Sequence, residues 1–474
     1  MVSQSKDHQK LHQDAIVLDG HNDTLMHLVG SERVDSGDDP WLPVLDLNQE
    51  LSGKTRHGHI DLPKLRKGGL NVPFFAAFAT EKDYPGRTLN RHLSLINALY
   101  WNVGKNPENI GLATSVSQIR SLVDQDKIAA VLTMEGGDAL KEPYGKELLH
   151  QFYDLGVRVL SLTWNNSNQL AEGLQGTFAD GSKSSEGLTD FGKEIVREMD
   201  ALGMILDVSH LHENSFWDVT EQAQGPIIAS HSSTKGIYSH PRNLSDQQLN
   251  AVKNSGGVVH INFADKFLAA DTQDASIEKI VDHLTYAAEL IGVEHVGLGS
   301  DFDGASMPVD VPDASAYPEF TRALWQRGYS ESEIQKILGE NTLRVMNEVA
   351  SKAHSKATAK GVNIKPTFEM GASFDRHSVE LSADIILASE EPSQILQPGQ
   401  IPTARAIING QIHPARVIHE NEHGSQHDTI AKMYAMPDSD NLQDGFNVIT
   451  FQVTDVDGNA QRLSRIFHAS PYES

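Results

Sequence analysis

The chain has 474 residues, with 39 basic and 64 acidic side chains and a formal net charge of −25. A nucleic-acid or anionic-membrane partner is therefore not expected, because both require a basic surface. The sequence contains no cysteine, which excludes disulfides, thiolate metal sites and cysteine nucleophiles, so catalysis would depend on carboxylates, serine, lysine or the 22 histidines.

The length exceeds the roughly 250–300 residues that one hydrophobic core usually serves, so we expect one large domain with an appendage. No apolar run reaches the ~18 residues of a membrane span, and the first ten residues lack the apolar part of a signal peptide. We therefore expect a soluble chain, located in the cytoplasm, or in the periplasm or outside the cell if a signal has been removed.

Eight short apolar segments alternate with helical stretches. Their continuous apolar character is typical of strands covered on both faces. Apolar residues at steps of three and four indicate a helix from Ile277 to Ile291, and Ser330 with Glu333 has the spacing of a capping box. The eightfold alternation predicts a (β/α)8 TIM-type barrel of the α/β class. The predicted strands are Ala15–Leu18, Leu70–Phe78, Ala129–Met134, Val157–Leu162, Gly203–Val208, Pro226–Ala229, Gly257–Phe263 and His295–Leu298.

The pattern changes after Val349. No further strand–helix pair follows, and short β-like pieces occur around Asp384–Ala388, Ala404–Ile412 and Phe446–Val453. We predict a metal-dependent catalytic barrel over residues 1–350 and a β-rich C-terminal extension over residues 351–474. The extension is expected to pack on the barrel, as a cover or as an oligomer contact.

Polar residues cluster at the carboxyl ends of five predicted strands, the rim where TIM barrels hold their catalytic groups. The first strand runs into His21 and Asp23, which are two residues apart and therefore point the same way along an extended chain. The other four strand ends carry Glu135, His210, His231, and Asp301 with Asp303.

These side chains form a set of imidazoles and carboxylates without thiolates. Such ligands suit Zn²⁺, with Mn²⁺ or Co²⁺ as substitutes. The two oxygens of Glu135 could bridge two ions about 3.5–4 Å apart, as in two-metal hydrolytic sites. Each residue alone also has a structural interpretation, for example Asp301 or Asp303 as a helix cap. Five such strand ends on one rim favour the metal site.

Seven motifs resemble the membrane dipeptidase (renal dipeptidase) family of zinc metallopeptidases, within the broader amidohydrolase-type barrels. They follow the family's order along the chain, which is far more specific than any single motif. The motifs are DGHND (19–23), HIDLPKLRKGG (59–69), EGG (135–137), DVSH (207–210), SHSS (230–233), HPRN (240–243) and GSDFDG (299–304).

The resemblance implies two zinc ions. Matched motif by motif, it assigns His21 and Asp23 to one ion, His210 and His231 to the other, and Glu135 as the bridge. Two metal ions would lower the pKa of a shared water toward about 7 and so provide a hydroxide at neutral pH.

The same matching gives Asp301 the role of the family's catalytic acid/base, which accepts the water proton and passes it to the departing amine. It gives Arg242 the role of binding the substrate's terminal carboxylate, which suits a planar guanidinium, although Arg242 alone would be interpreted as a surface salt-bridge residue. The implied substrates are dipeptides. Two alternatives stay open: a related metal hydrolase acting on a lactone, a cyclic amide or an N-acyl amino acid, and a catalytically silent binding protein.

The chain departs from the family at Trp164, where better-known members have a histidine thought to polarise the scissile carbonyl. Asn165 or Asn166 could donate an amide N–H to the substrate instead, while Trp164 would either narrow the substrate pocket or pack against the barrel wall. Eukaryotic members are membrane-anchored and disulfide-linked, which a chain without cysteine cannot copy, so we expect a bacterial type of enzyme. The expected partners are small molecules, without nucleic acid or membrane insertion, and a homodimer is left open.

Overall fold

The computed structural model describes residues 4–30, 42–54, 58–184, 187–353, 362–376, 379–387, 403–419, 429–437, 442–454 and 459–470. Its largest sheet contains β1 (Leu18–Asn22), β2 (Val72–Phe78), β3 (Ile110–Leu112), β4 (Ile128–Glu135), β5 (Val157–Ser161), β6 (Ile205–Asp207), β7 (Ile227–Ala229), β8 (Val258–Ile261) and β9 (Val296–Leu298). Eight strands pair in parallel in the order β1-β2-β4-β5-β6-β7-β8-β9, and β3 pairs with the beginning of β4. This nearly closed sheet confirms the predicted TIM-type barrel.

The barrel closes between β1 and the segment that follows β9. The backbone N–H of Asp301 donates to the carbonyl of His21 (3.1 Å), and the N–H of Asp23 donates to the carbonyl of Phe302 (2.8 Å). The first and last polar motifs of the barrel therefore lie side by side.

The first strand lies later in the chain than its apolar pattern predicted. It was predicted at Ala15–Leu18, whereas β1 contains Asp19 and His21, both buried. Polar residues are stable inside this strand because they bond across the closure, where Asp19 accepts hydrogen bonds from the backbone N–H and the hydroxyl of Ser300. Hydrophobicity alone therefore ended the strand too soon. The short β3 was not predicted.

Helices alternate with the strands of the barrel. They are α1 (Gln4–Asp14), α2 (Leu25–Leu28), α3 (Leu62–Lys67), α4 (Thr88–Lys105), α5 (Val116–Val123), α6 (Gly145–Asp154), α7 (Asp190–Leu202), α8 (Glu213–Gln222), α9 (Asp246–Asn254), α10 (Asp265–Leu268), α11 (Ile277–Ile291), α12 (Tyr317–Gln326), α13 (Glu331–Gln335) and α14 (Asn341–Lys352). The predicted amphipathic helix is confirmed as α11, and α13 begins at the predicted capping box of Ser330 and Glu333. None of the helices in the described ranges is long and apolar enough to cross a membrane.

After α14 the chain forms two mainly antiparallel sheets, which confirms the predicted β-rich extension. Their strands are β10 (Val362–Pro366), β11 (Ala372–Asp375), β12 (Leu381–Leu387), β13 (Thr403–Ile408), β14 (Gln411–Pro414), β15 (Arg416–His419), β16 (Thr429–Ala435), β17 (Gly445–Thr454) and β18 (Ala460–Ser470). One sheet has the order β10-β12-β16-β15 and the other β11-β18-β17-β13-β14. They enclose a second apolar core that includes Leu381, Met433 and Phe451.

The extension contacts helix α6 of the barrel through buried polar groups. Gln151 on α6 donates from Nε2 to the carbonyl of Ile407 and to Thr450 Oγ1, both at 3.0 Å, and its Oε1 accepts from the N–H of Gly410 at 2.8 Å. Arg462 forms ion pairs with two carboxylates of the same helix. The division into domains at residue 350 stays a prediction, and α14 continues across it.

Candidate metal centre

Five buried side chains converge at the carboxyl end of the barrel, with Glu135 at their centre. Glu135 Oε1 lies 3.0 Å from His210 Nε2 and 3.5 Å from His231 Nε2, and Oε2 lies 3.6 Å from His21 Nε2. Asp23 Oδ2 lies 3.4 Å from the same His21 nitrogen. Glu135 thus belongs to two groups of three ligand atoms within 4.8 Å of one another, one with His21 and Asp23 and one with His210 and His231.

Local backbone geometry supports this convergence. His210 and Asp301 have left-handed backbone conformations, with φ of 68° and 63°. Such conformations cost a non-glycine residue about 1–3 kcal/mol and persist only where the surroundings enforce them. Gly304 also contributes, because a Cβ at this position would collide with the carboxylates of Asp23 and Asp301. The glycine of the GSDFDG motif therefore leaves room for these two side chains.

The donor atoms fit a divalent metal ion. His21 Nε2 and Asp23 Oδ1 are buried and make no hydrogen bond to any described residue. The Nε2 atoms of His210 and His231 face each other at 2.9 Å. Buried polar atoms normally have partners, so the two unpartnered atoms of His21 and Asp23 indicate a place for a cation. Imidazole and carboxylate without thiolate is a ligand set that suits zinc.

The electrostatics give most of these side chains the protonation state that metal ligands need. Burial opposes ionisation of Glu135, but the surrounding imidazoles outweigh it and hold its pKa well below the ordinary value. Burial lowers the pKa of His210 to about 4 and that of His231 well below its ordinary value. Burial and the charge of Glu135 raise the pKa of Asp23 to about 7. Burial also disfavours a charged His21, but the negative charges of Glu135 and Asp23 outweigh burial and raise the pKa of His21 well above its ordinary value. A metal ion would therefore displace a proton from His21.

Asp301 lies beside this centre and is held by a residue that the sequence analysis missed. Its Oδ2 accepts a hydrogen bond from Asn262 Nδ2 at 3.0 Å, and burial raises its pKa. A carboxylate oxygen of Asp301 also lies within 4.8 Å of ligand atoms of His21 and His231. The predicted strand Gly257–Phe263 contains Asn262, whereas the observed β8 ends at Ile261, so the only signal for this residue was a polar side chain near the end of an apolar segment.

A cavity of about 310 Å³ opens above the centre, and Arg242 lines it together with Glu135, His210 and Asp301. Arg242 is buried, and its Nη1 donates to Ser232 Oγ at 2.8 Å. Its Nε and Nη2 have no hydrogen-bond partner among the described residues. A buried guanidinium with two unused donors is suited to bind a carboxylate.

Trp164 lines the cavity, where its ring packs edge-to-face on Phe78 at 5.3 Å between centroids. Asn165 also lines it, but its Oδ1 lies 2.9 Å from His210 Nδ1, so the side chain orients that imidazole. Asn166 does not line the cavity, and its Nδ2 lies near backbone carbonyls of the following loop. The expectation that Asn166 donates to the substrate is therefore not supported by its position.

Comparison with known proteins identifies relatives of the barrel. The family described as membrane dipeptidase (Peptidase family M19) matches residues 5–360. An uncharacterized dipeptidase of Schizosaccharomyces pombe is 32% identical over 363 residues, which cover 72% of this chain and 82% of the relative. The solved structure of dipeptidase AC, a metallo peptidase, is 28% identical, with a TM-score of 0.61 over 71% of this chain and 98% of its own. A metallo peptidase from Rhodobacter sphaeroides, liganded with a phosphinate mimic of the dipeptide L-Ala-D-Ala, is also 28% identical, with a TM-score of 0.60 over 71% of this chain and 100% of its own.

The fold, the cluster of metal-binding side chains and these relatives define a metal-dependent peptide-bond hydrolase on a TIM barrel. The chain belongs to the membrane dipeptidase family, Peptidase family M19. The family match ends at residue 360, so nearly all of the extension lies beyond it.

Proposed function

We propose that the protein is a dipeptidase that holds two Zn²⁺ ions and hydrolyses the peptide bond of dipeptides. The observation that carries this proposal is the position of Glu135, which is shared by two groups of ligand atoms. His21 and Asp23 would hold one ion with Glu135, and His210 and His231 would hold the other. The ligand set would also accept Mn²⁺ or Co²⁺.

When bound, zinc lowers the pKa of a water molecule and polarises the scissile carbonyl. The proton of the attacking water passes to Asp301 Oδ1, the oxygen that Asn262 does not occupy, and from there to the nitrogen of the departing amine. The raised pKa of Asp301 suits a group that must accept a proton and then release it.

Arg242 would fix the terminal carboxylate of the substrate with its two unused donors. The cavity volume of about 310 Å³ lies at the lower end of the range for ligand pockets, which favours a dipeptide over a longer peptide. Trp164 and Phe78 would form the apolar wall beside the scissile bond. The dipeptide mimic bound by the Rhodobacter sphaeroides relative supports the same substrate class here.

The substitution Arg242→Ala tests this assignment. We expect kcat/KM for dipeptides to fall by about 2–4 kcal/mol, roughly 30- to 1000-fold, because a charge-assisted bidentate pair is lost in a desolvated pocket. Dipeptide amides lack the carboxylate and should be barely affected. Lys266→Ala removes an exposed cation from the rim of the same cavity and is the matched control.

Equal losses on dipeptides and on their amides would remove Arg242 from carboxylate binding. A zinc-loaded protein that hydrolyses N-acyl amino acids, lactones or cyclic amides but no dipeptide would replace the proposed substrate class with the alternative one.

A further inference from the structure

Three buried side chains form a hydrogen-bonded chain behind one of the candidate ligands. His231 Nδ1 lies 2.7 Å from Ser230 Oγ, and Ser230 Oγ donates to Asp207 Oδ2 at 2.5 Å. The three residues are at most 3% exposed. They join the last residue of β6 to the two residues that follow β7.

The hydrogen atoms in this chain have one consistent arrangement. As a carboxylate, Asp207 only accepts, and its Oδ1 already takes the backbone N–H groups of Ser209 and Ser230, both at 2.9 Å. Its Oδ2 takes the hydroxyl proton of Ser230, which leaves the serine oxygen as an acceptor for His231 Nδ1–H. The proton of the imidazole is thereby fixed on Nδ1, and the lone pair is on Nε2, the atom 3.5 Å from Glu135 Oε1.

The two imidazoles that face each other at the centre are supported differently. His210 Nδ1 faces the neutral carboxamide oxygen of Asn165 at 2.9 Å. His231 is connected through Ser230 to a buried carboxylate, whose three hydrogen bonds all come from neutral groups. The charge of Asp207 therefore polarises the serine hydroxyl and, through it, the imidazole.

We propose that Asp207 and Ser230 are positioning residues, which fix the tautomer of His231 and strengthen its Nε2 as a metal ligand. This proposal rests on the proposed zinc site. Groups behind a metal-bound histidine typically change metal affinity about 10- to 100-fold when they are removed. The carboxylate of the DVSH motif and the first serine of the SHSS motif thereby gain a role in metal binding.

The test measures zinc affinity of the full-length protein by chelator competition for Ser230→Ala, Asp207→Asn and the double variant. Each single variant should lose about 10- to 100-fold in affinity for one of the two ions. The double variant should be no weaker than the weaker single variant, because Asp207 acts through Ser230. Ser233→Ala is the matched control, since it removes another buried hydroxyl of the same segment, one that bonds to the Asn262 carbonyl at 3.2 Å.

A second readout separates positioning from a loss of stability. In the cobalt-loaded protein, Ser230→Ala should shift the visible absorption of one cobalt ion and leave the absorption of the other unchanged. A general loss of folded protein would instead weaken the absorption of both ions. Ser230→Ala removes a single oxygen atom, so it carries the test if Asp207→Asn does not fold.

Unchanged zinc affinity in Ser230→Ala, together with loss of an ion in His231→Ala, would overturn the relay and leave the zinc site intact. Additive losses in the double variant would also overturn it, because Asp207 would then act by a separate route. Unchanged metal content in His231→Ala would instead contradict the proposed zinc site itself.

Discussion

Asp301 and Asp303 are identical side chains, two residues apart, with different surroundings. Asp301 has one oxygen bound to Asn262 and lines the cavity. Asp303 has both oxygens occupied, because Oδ1 accepts from the backbone N–H of His59 at 2.8 Å and Oδ2 accepts from Thr24 Oγ1 at 2.7 Å. Asp303 therefore connects three loops, whereas Asp301 keeps one carboxylate oxygen for the proposed proton transfer.

This difference predicts opposite effects for two matched substitutions. Asp301→Asn should lower kcat by about 10²- to 10⁴-fold with zinc content retained, because a proton acceptor is lost. Asp303→Asn should retain most of kcat and lower the free energy of unfolding by about 1.5–3 kcal/mol, because hydrogen bonds to a charged acceptor are lost. Steady-state kinetics, elemental analysis and urea denaturation of both variants check this. A zinc-free Asp301→Asn protein would make Asp301 an essential ligand instead of a proton shuttle.

The convergence of the five candidate ligands was predictable because each lies in or just after a strand whose apolar pattern marks it. The different surroundings of Asp301 and Asp303 could not be predicted, since both residues lie at the same rim and their hydrogen-bond partners come from distant parts of the chain. Asn262 was missed because it lies within the predicted strand Gly257–Phe263, where a single asparagine has no distinctive pattern. The contact of Asn165 with His210 could not be predicted, because it depends on a side-chain orientation that spacing does not specify, and the substrate-binding role of Asn165 stays a prediction.

At the scale of elements, the closure of the barrel brings the first and last segments of the candidate site together. The carbonyl of His21 and the N–H of Asp301 belong to this closure, and Asp19 bonds across it to Ser300. A buried carboxylate and the parallel bridge between Asn22 and Phe302 thus join β1 to the segment after β9.

The substitution Asp19→Ala tests the closure. It leaves the buried N–H of Ser300 without its acceptor, while the hydroxyl keeps the His21 carbonyl at 3.1 Å, so we expect a loss of about 1–3 kcal/mol in the free energy of unfolding, together with weaker zinc binding. Urea denaturation of the metal-free protein provides the measurement. Ser300→Ala removes the hydroxyl that bonds to Asp19, to the His21 carbonyl and to the N–H of Phe302, and it should also lower the free energy of unfolding. An unchanged denaturation midpoint in Asp19→Ala would show that the closure does not depend on this carboxylate.

At the scale of the whole molecule, the extension supports the barrel from the outside. Among the described residues, all those that line the cavity belong to the barrel. The change from strand–helix alternation to short β-like pieces was visible in the sequence, so the two regions were predictable. The contact between the barrel and the extension could not be predicted, because Gln151 is far in the chain from its partners Ile407 and Thr450 and none of the three has a distinctive sequence pattern.

The substitution Gln151→Leu tests this support. It removes the side-chain partner of the Ile407 carbonyl and of the Gly410 N–H, whereas Thr450 Oγ1 keeps Ser464 Oγ as a partner at 2.6 Å. An unpaired buried group costs about 1–3 kcal/mol, so we expect a lower melting temperature with kcat/KM for dipeptides unchanged. Lys146→Leu, on the solvent side of the same helix, is the matched control and should change stability by no more than about 0.5 kcal/mol. A large fall in kcat/KM at unchanged stability would give the extension a part in catalysis.

The central claim is that Glu135 joins two zinc ions in one dipeptide-hydrolysing site. The most direct test is a zinc titration of the metal-free, full-length protein with dipeptide turnover measured at each step. We expect turnover to reach its plateau at two zinc ions per chain. A plateau at one ion per chain, or no dipeptide turnover with two ions bound, would contradict the claim.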